Sequence, residues 1–306
     1  MWRYHLEADT QKASVFSEDL VKITLALPPF GGQVGLGQVT SNISAMKIAV
    51  CVKQVPDSWA EKKMVDGRLD RVSVDAVLNE LDEYAVEEAL RIAEAHGGNE
   101  EAGPNTVTVI CMGPERATDT VRKSLSMGAN SAILISDPAL AGADALATSL
   151  VLSKVISTGG FDLVICGTES TDARMSVVPA MIAARLGWAQ LTFAGSVVVD
   201  PTASKVSITR VTEAGVDSIS ANFPAVISVN EKINEPRYPS FKGIMAAKKK
   251  TIESRDLATV GVSAQSAWSI VVDSALRPAR AAGIKITDDG TAGEKLVNFL
   301  AERKLI

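Results

Sequence analysis

Four apolar runs typical of β-strands alternate with helical segments between residues 46 and 187, and this alternation limits the fold more than any other feature. The runs span residues 47–53, 106–112, 132–136 and 162–166. Between the first two, residues 80–95 place apolar side chains at helical spacing. Apolar strands linked by amphipathic helices form a parallel sheet that is covered on both faces. The sequence therefore predicts an α/β fold with a doubly wound parallel sheet.

The pattern changes after Gly187. Three further strand-like runs follow with no helix between them, at residues 191–199, 205–212 and 223–229. Residues 230–290 show little regular pattern, and Thr291 and Glu294 form a capping box that opens a final helix. A long irregular segment that ends in a short helix buries little against itself. We therefore expect added C-terminal strands, followed by an extended arm that docks on a neighbouring chain.

The first 45 residues differ in composition from the rest of the chain. Proline and glycine at residues 28–32 interrupt any long element, and a typical α/β start appears only at Met46. We expect residues 1–45 to be a non-native or disordered extension, with translation beginning at Met46. The predicted organisation is this extension, an α/β nucleotide-binding domain over residues 46–230, and a recognition loop with the arm over residues 231–306.

Composition excludes several classes of function. The formal net charge of -5 gives no basic face for nucleic acid. The only histidines are His5 and His96, and the common hydrolase, phosphate-loop and zinc-protease motifs are missing. We therefore expect no metal site and no catalytic site of the chain's own, so that a bound cofactor performs any chemistry.

The cysteines and the hydropathy indicate where the protein resides. Cys51, Cys111 and Cys166 each lie in a strand-like run, and no pair has a Cys-x-x-Cys spacing. An odd number of buried thiols is typical of a reducing cytoplasm. No apolar run reaches the length of about 18 residues that a membrane helix requires. The sequence predicts a cytoplasmic protein with no membrane insertion.

Four segments fall at the predicted carboxyl edge of the sheet, where ligands of such sheets bind. They are residues 51–53, 79–82, 112–114 and 167–176. The last is a polar loop that enters a helix, and free N–H groups at a helix start favour a phosphate. Arg174 could face that phosphate or point into solvent. A turn glycine and a helix-capping Asn79 explain the other segments without any ligand, so both interpretations stay open.

Short motifs also follow one another in a recognisable order from Met46 to the end of the chain. They are residues 46–57, 78–90, Gly113-Pro114, 126–129, 208–213 with 223–228, and Asn234-Glu235-Pro236-Arg237-Tyr238 with Ile244-Met245 and Lys248-Lys249-Lys250. This series resembles the electron transfer flavoprotein β-subunit family. The resemblance implies an adenine-nucleotide-binding, Rossmann-like sheet.

The resemblance also implies partners and cofactors. Such a β subunit forms a heterodimer with an α subunit that holds most of the FAD, and it binds AMP itself. Electrons pass from acyl-CoA and other flavin dehydrogenases towards a membrane quinone oxidoreductase. Carried over by position, the partner-recognition residue is Phe241, where the family often has leucine. The AMP contacts are Cys51, Asn79, Glu80, Leu81, Asp82, Met112, Asp172, Ala173, Arg174, Met175, Ser176, Val177 and Val178.

Other interpretations remain open at this stage. A stand-alone adenine-nucleotide sensor would account for residues 46–187, but not for the strands and arm that follow. An ATP-using ligase or sulfurtransferase would need a glycine-rich loop after the first strand, where this chain has residues 53–57 instead. Within the resembling family, a flavin-bifurcating subunit would hold FAD in place of AMP.

Overall fold

The computed structural model describes residues 45–306 apart from positions 101, 276, 277, 279 and 281, so nearly all of the predicted N-terminal extension lies outside the described residues. The strands are β1 Lys47–Val52, β2 Gln54–Pro56, β3 Met64–Val65, β4 Arg68–Leu69, β5 Ala76–Leu78, β6 Thr106–Met112, β7 Ser131–Ile135, β8 Leu163–Gly167, β9 Ala189–Ala194, β10 Ser196–Asp200, β11 Lys205–Thr212, β12 Gly215–Asn222, β13 Ala225–Val229 and β14 Ile252–Arg255. The α-helices are α1 Glu80–Ala95, α2 Thr118–Met127, α3 Ala145–Gly159, α4 Val178–Leu186, α5 Phe241–Lys249, α6 Leu257–Val260 and α7 Ala292–Glu302.

Seven strands form one sheet in the order β14-β7-β6-β1-β8-β13-β9, and every neighbouring pair is parallel. The chain moves outwards from β1 through β6 to β7, then returns to β8 on the other side of β1. The strand order therefore reverses at β1, which confirms the predicted doubly wound sheet. Ligands of such sheets bind beyond the carboxyl ends of the strands at this switch point.

Alternate side chains of β1 lie on opposite faces of the sheet and join two separate cores. Ile48 and Val50 pack in one core with α1 residues such as Leu90, whereas Ala49 packs in the other with Ile156 of α3. Fully burying a side chain such as that of Leu90 contributes about 1.5–3 kcal/mol. Because both faces of the sheet are covered, a ligand has access to the carboxyl ends of the strands rather than to either face.

The strands after α4 differ in detail from the prediction. Residues 191–199 are not one strand, because the chain leaves β9 at Gly195 and enters β10. A strand that the sequence analysis missed, β12, completes an antiparallel sheet in the order β10-β11-β12. Asp66 and Gly67 form the turn between β3 and β4, and both have positive φ, as this tight hairpin requires.

The prediction that residues 230–290 lack regular structure is wrong in part, because α5, β14 and α6 lie within them. Ser240 accepts a hydrogen bond from the Gly243 amide and caps α5, and Asp256 caps α6 in the same manner. These elements are short, so their periodicity is weak. In particular, Phe241 begins α5 and does not lie in a loop.

The final helix is confirmed, but its predicted capping box is wrong. Thr291 stands before α7, yet its side chain makes no cap and its hydroxyl donates to Asp289. Among the described residues, no helix is long and apolar enough to cross a membrane.

Candidate functional site

The carboxyl ends of β1, β6 and β8 lie side by side and bring the first predicted contacts together. Cys51 is in register with Cys166 of β8 on one side and Ile110 of β6 on the other. Met112 ends β6 and packs, partly buried, against the same core cluster as Cys51. The floor of the candidate site is therefore small and apolar.

Asn79 connects the start of α1 to the loop that follows β8. The sequence predicts that its side chain caps α1, but the side chain makes no capping hydrogen bond. Instead, Nδ2 donates to the Glu169 carbonyl oxygen at 2.9 Å, and Oδ1 accepts from the Thr171 amide at 3.0 Å. Asn79 is buried, so these two bonds satisfy a side chain that would otherwise destabilise the fold. Its role is to hold the loop against α1.

Asp82 lies at the centre of the site. Its Oδ2 accepts a hydrogen bond from the Lys53 amide at 2.7 Å. Burial raises the pKa of Asp82 to about 7, and hydrogen bonds from Asn79 and the Lys53 amide oppose that rise only in part. A Cβ atom added to Gly167 would lie 2.5 Å from Asp82 Oδ1 and 2.8 Å from the Leu81 carbonyl oxygen. Glycine at 167 is therefore required for the close approach of α1 to β8.

Asp172 fixes the loop after β8 through two cations. Its side chain is 1% exposed, and Lys53 Nζ lies 2.7 Å from its Oδ1. Arg71 donates to Oδ2 through Nη2 at 2.6 Å and through Nε at 3.0 Å. Burial acts to raise the pKa of Asp172, but the charge of Lys53 and hydrogen bonds from Lys53, Ser170 and Arg71 outweigh it, and the pKa lies below its ordinary value.

The rest of this loop leads into α4. Ser176 donates to Glu169 Oε2 at 3.1 Å, and Arg174 and Ser176 both have positive φ. Val177 precedes α4, and its apolar side chain cannot cap the helix. Pro179 has no N–H, and the Met181 N–H bonds to the Val177 carbonyl oxygen, so the first-turn N–H groups that lack a side-chain acceptor from the cap position are those of Val178 and Ala180. The most exposed side chains of the loop are those of Ala173, Arg174 and Met175.

The three thiols are free and buried. Burial raises the pKa of Cys111 to about 12. The pKa of Cys166 is also raised, chiefly by its hydrogen bond with Cys51 and then by burial. These two thiols therefore stay protonated at neutral pH and act as small core side chains.

The structure gathers Cys51, Asn79, Leu81, Asp82, Met112 and the loop containing Asp172 at one edge, whereas Glu80 and Arg174 are exposed there. The sequence placed Lys53 in the first strand-end segment without giving it a contact, and it gave no indication of Arg71. Lys53 directly follows β1. Arg71 lies in a connection with no periodic signal. A cavity of about 460 Å³ lies elsewhere, between α1 and β10, and none of the predicted contacts lines it.

A second region, residues 234–250, presents apolar side chains to solvent. Tyr238 is 96% exposed and Phe241 is 80% exposed, with Ile244 and Met245 beside them on α5. The helix rests on α2, because Arg122 Nη1 donates to the Ala247 and Lys250 carbonyl oxygens. The exposed side chains are thus carried on a helix that is fixed to the domain.

The sheet and the polar residues at its switch point define a doubly wound α/β protein. A family model for the electron transfer flavoprotein domain matches residues 66–260. The electron transfer flavoprotein subunit beta of Mycobacterium bovis is 47% identical over 267 residues, which cover 85% of this chain and 99% of that protein. The protein of the same name from Mycobacterium leprae is 48% identical over 267 residues, with the same coverage, and that from Syntrophomonas wolfei is 34% identical over 244, covering 80% and 91%.

The chain belongs to the electron transfer flavoprotein β-subunit family. This assignment replaces the stand-alone sensor considered from the sequence, because the family match continues beyond Gly187 to residue 260.

Proposed function

We propose that this chain is the β subunit of a heterodimeric electron carrier that takes electrons from flavin dehydrogenases, such as acyl-CoA dehydrogenases of fatty acid β-oxidation, and delivers them to a membrane quinone oxidoreductase. The observation that carries the proposal is the similarity to subunits of this name over 85% of the chain. The chain itself contributes binding surfaces rather than a catalytic site. Its three buried thiols support a cytoplasmic location.

The proposed α-subunit interface is the C-terminal arm. Many large apolar side chains of this arm are exposed, including Trp268, Ile270, Val271, Val272, Ile284, Leu296 and Val297. So many exposed apolar side chains in one segment indicate a surface that a partner protein covers. An obligate interface buries at least about 2,000 Å². FAD, held mainly by the α subunit at this interface, supplies the electron-carrying chemistry.

The proposed ligand of this chain is AMP at the switch point. The residues present fit it: Cys51 and Met112 offer an apolar surface for a base, and the N–H groups of Val178 and Ala180 at the uncapped start of α4 offer donors for a phosphate. Lys53 and Arg71 add positive charge at the same edge, although Asp172 neutralises part of it. Asn79 and Asp82 hold the surrounding segments in place.

One purification tests these proposals. The chain is co-expressed with its candidate α subunit, and the complex is isolated and gently denatured. We expect a one-to-one complex with a flavin spectrum, which releases one AMP per β subunit by mass analysis. Release of a second FAD in place of AMP would identify a bifurcating subunit instead. A compact β monomer that contains flavin without a partner would overturn the heterodimer proposal, and a complex without any nucleotide in the β chain would overturn the site.

A further inference from the structure

The segment that leads into α5 is fixed to α1 by one arginine. Arg237 Nε and Nη2 lie 2.7 and 3.0 Å from the two carboxylate oxygens of Glu87. Nη1 and Nη2 lie 2.6 and 3.0 Å from the oxygens of Glu94. The Arg237 backbone amide also donates to Glu87 at 3.1 Å. A single guanidinium thus binds two carboxylates, each through both oxygens, which is the strongest geometry such groups form.

This cluster is more than a surface ion pair. The Glu87 side chain is 7% exposed, and Arg237 is about one-third exposed. Three residues earlier, Asn234 Nδ2 donates to Glu88 Oε2 and to the Tyr84 carbonyl oxygen. Residues 234–237 are therefore tied to α1 at both ends, immediately before the exposed Tyr238.

The two ends of α5 depend on different anchors. Its C-terminal end is held by Arg122. In its first turn, Gly243 lies so close to α2 that an added Cβ atom would be 2.6 Å from the Ser126 carbonyl oxygen. Its N-terminal end, where Phe241 begins the helix, follows directly from the segment that Arg237 holds. Loss of Arg237 would therefore leave α5 packed on α2 through Gly243 and Arg122, but it would free Tyr238 and the chain that leads into Phe241 at the first position of the helix.

We propose that Arg237, through Glu87 and Glu94, is a positioning residue that holds Tyr238 and Phe241 in the orientation required for docking with the dehydrogenase. The inference rests on the proposed function and on the partner-recognition role that the family resemblance implies for Phe241. A surface loop that is already ordered loses less conformational entropy on binding than a mobile loop does. Arg237 thus contributes to the affinity for the dehydrogenase without contacting it.

The consequence appears in binding rather than in turnover. Once the complex has formed, the flavins are placed by the whole interface, so the loss of one positioning contact should raise KM and leave kcat nearly unchanged. Lysine at 237 offers a point charge that cannot engage two carboxylates in the same planar geometry, so it should restore only part of the affinity.

The test measures the reduction of the complete heterodimer by an acyl-CoA dehydrogenase and its acyl-CoA substrate. We expect Arg237→Gln to raise the KM for the heterodimer by at least about tenfold while kcat stays within about twofold. The KM of Arg237→Lys should lie between that of the wild type and that of Arg237→Gln. The matched control is Arg255→Gln, which removes an arginine that binds a single surface carboxylate, Glu253. Flavin content should be equal in all variants.

A double-mutant cycle separates positioning from general stabilisation. If Arg237 acts through Phe241, then adding Arg237→Gln to Phe241→Ala should raise KM by less than about twofold more. Fully multiplicative effects would overturn the proposal, as would an unchanged KM for Arg237→Gln when Phe241→Ala alone raises it. An unchanged KM for Phe241→Ala would refute the docking role itself. If Arg237→Gln does not fold, Glu94→Gln removes only the outer half of the cluster, and an unchanged KM in that variant would contradict the inference.

Discussion

Lys53 and Asp172 form an ion pair of 2.7 Å between the residue that follows β1 and the loop that follows β8. The carboxylate is almost completely covered, whereas the ammonium group remains partly exposed. Arg71 closes the other side of the same carboxylate at 2.6 Å. Three segments far apart in the chain therefore meet at one charge, and that charge determines how the loop lies over the switch point.

The substitution Asp172→Asn should lower the free energy of unfolding by about 1–2 kcal/mol, because it leaves two cations without their buried partner. The decrease in the free energy of unfolding should lie near the lower limit of this range, because Lys53 and Arg71 are both exposed enough to turn towards water. Urea denaturation at pH 7 measures it. The control is Glu61→Gln, which breaks an exposed pair with Lys63 and should change stability by less than about 0.5 kcal/mol. Equal effects in the two variants would contradict the role assigned to Asp172.

Asp82 should make stability depend on pH near neutrality. Its pKa is about 7 in the folded protein because it is buried, whereas an aspartate in the unfolded chain has a pKa of about 3.9. Between these values the folded state binds more protons than the unfolded state, so the free energy of unfolding from this group falls as pH rises. The slope reaches at most about 1.4 kcal/mol per pH unit.

Denaturation curves between pH 5 and pH 8, for the wild type and for Asp82→Asn, measure this contribution. Below about pH 7, the free energy of unfolding of the variant should lack the decrease with pH that Asp82 causes in the wild type. Above about pH 7, the free energies of the two proteins should change with pH in parallel. A wild type whose pH dependence matches that of Asp82→Asn would show that Asp82 titrates at its ordinary value.

Gly167→Ala should destabilise the fold by about 1–3 kcal/mol, because the new methyl group would overlap α1 at the end of β8. The atoms in its way are Asp82 Oδ1 at 2.5 Å and the Leu81 backbone at 2.8 Å, and the latter cannot move without the helix. Gly283→Ala is the matched control, since no atom lies within 4 Å of the added Cβ there. Thermal unfolding compares the two; an equal melting temperature for both would refute close packing at 167.

Phe241→Ala should leave folding intact and weaken electron transfer from the dehydrogenase. The side chain is 80% exposed, so its loss removes little buried area within the chain. Losing an anchor worth about 1.4 kcal/mol or more would slow transfer at subsaturating concentration by about tenfold or more. Stopped-flow reduction of the heterodimer measures it. Trp59→Ala, which removes an aromatic side chain that is 95% exposed elsewhere, is the control. An unfolded Phe241→Ala variant, or an unchanged rate, would show that Phe241 serves packing.

The sheet could be predicted because each of its central strands is an apolar run of five to seven residues, and helix α1, which packs on β1 and β8, buries residues at helical spacing. The same pattern predicts where the candidate site lies, since Cys51 and Met112 stand at or next to the ends of β1 and β6. Hydrophobic periodicity is a local signal, and it is strong where an element is long.

The remaining features depend on contacts between distant residues. An asparagine before a helix predicts a cap, but the Asn79 side chain instead bonds to residues 90 and 92 positions away. Arg71 and Asp172 are 101 positions apart and both lie in irregular segments, so no spacing connects them. Helix α5 has nine residues, too few to give a clear period. These features are decided by tertiary packing, which a single sequence does not display.

Helix α1 carries Asp82 in its first turn and Glu87 and Glu94 further along, so its geometry serves both the switch point and the segment before α5. Successive residues of an α-helix are rotated by about 100° about the helix axis. Inserting one residue between Asp82 and Glu87 would leave the switch point unchanged but rotate both glutamates away from Arg237. The length of α1 between these positions is therefore as constrained as the identity of the residues, and variation among related sequences should take the form of substitutions there and never of insertions or deletions.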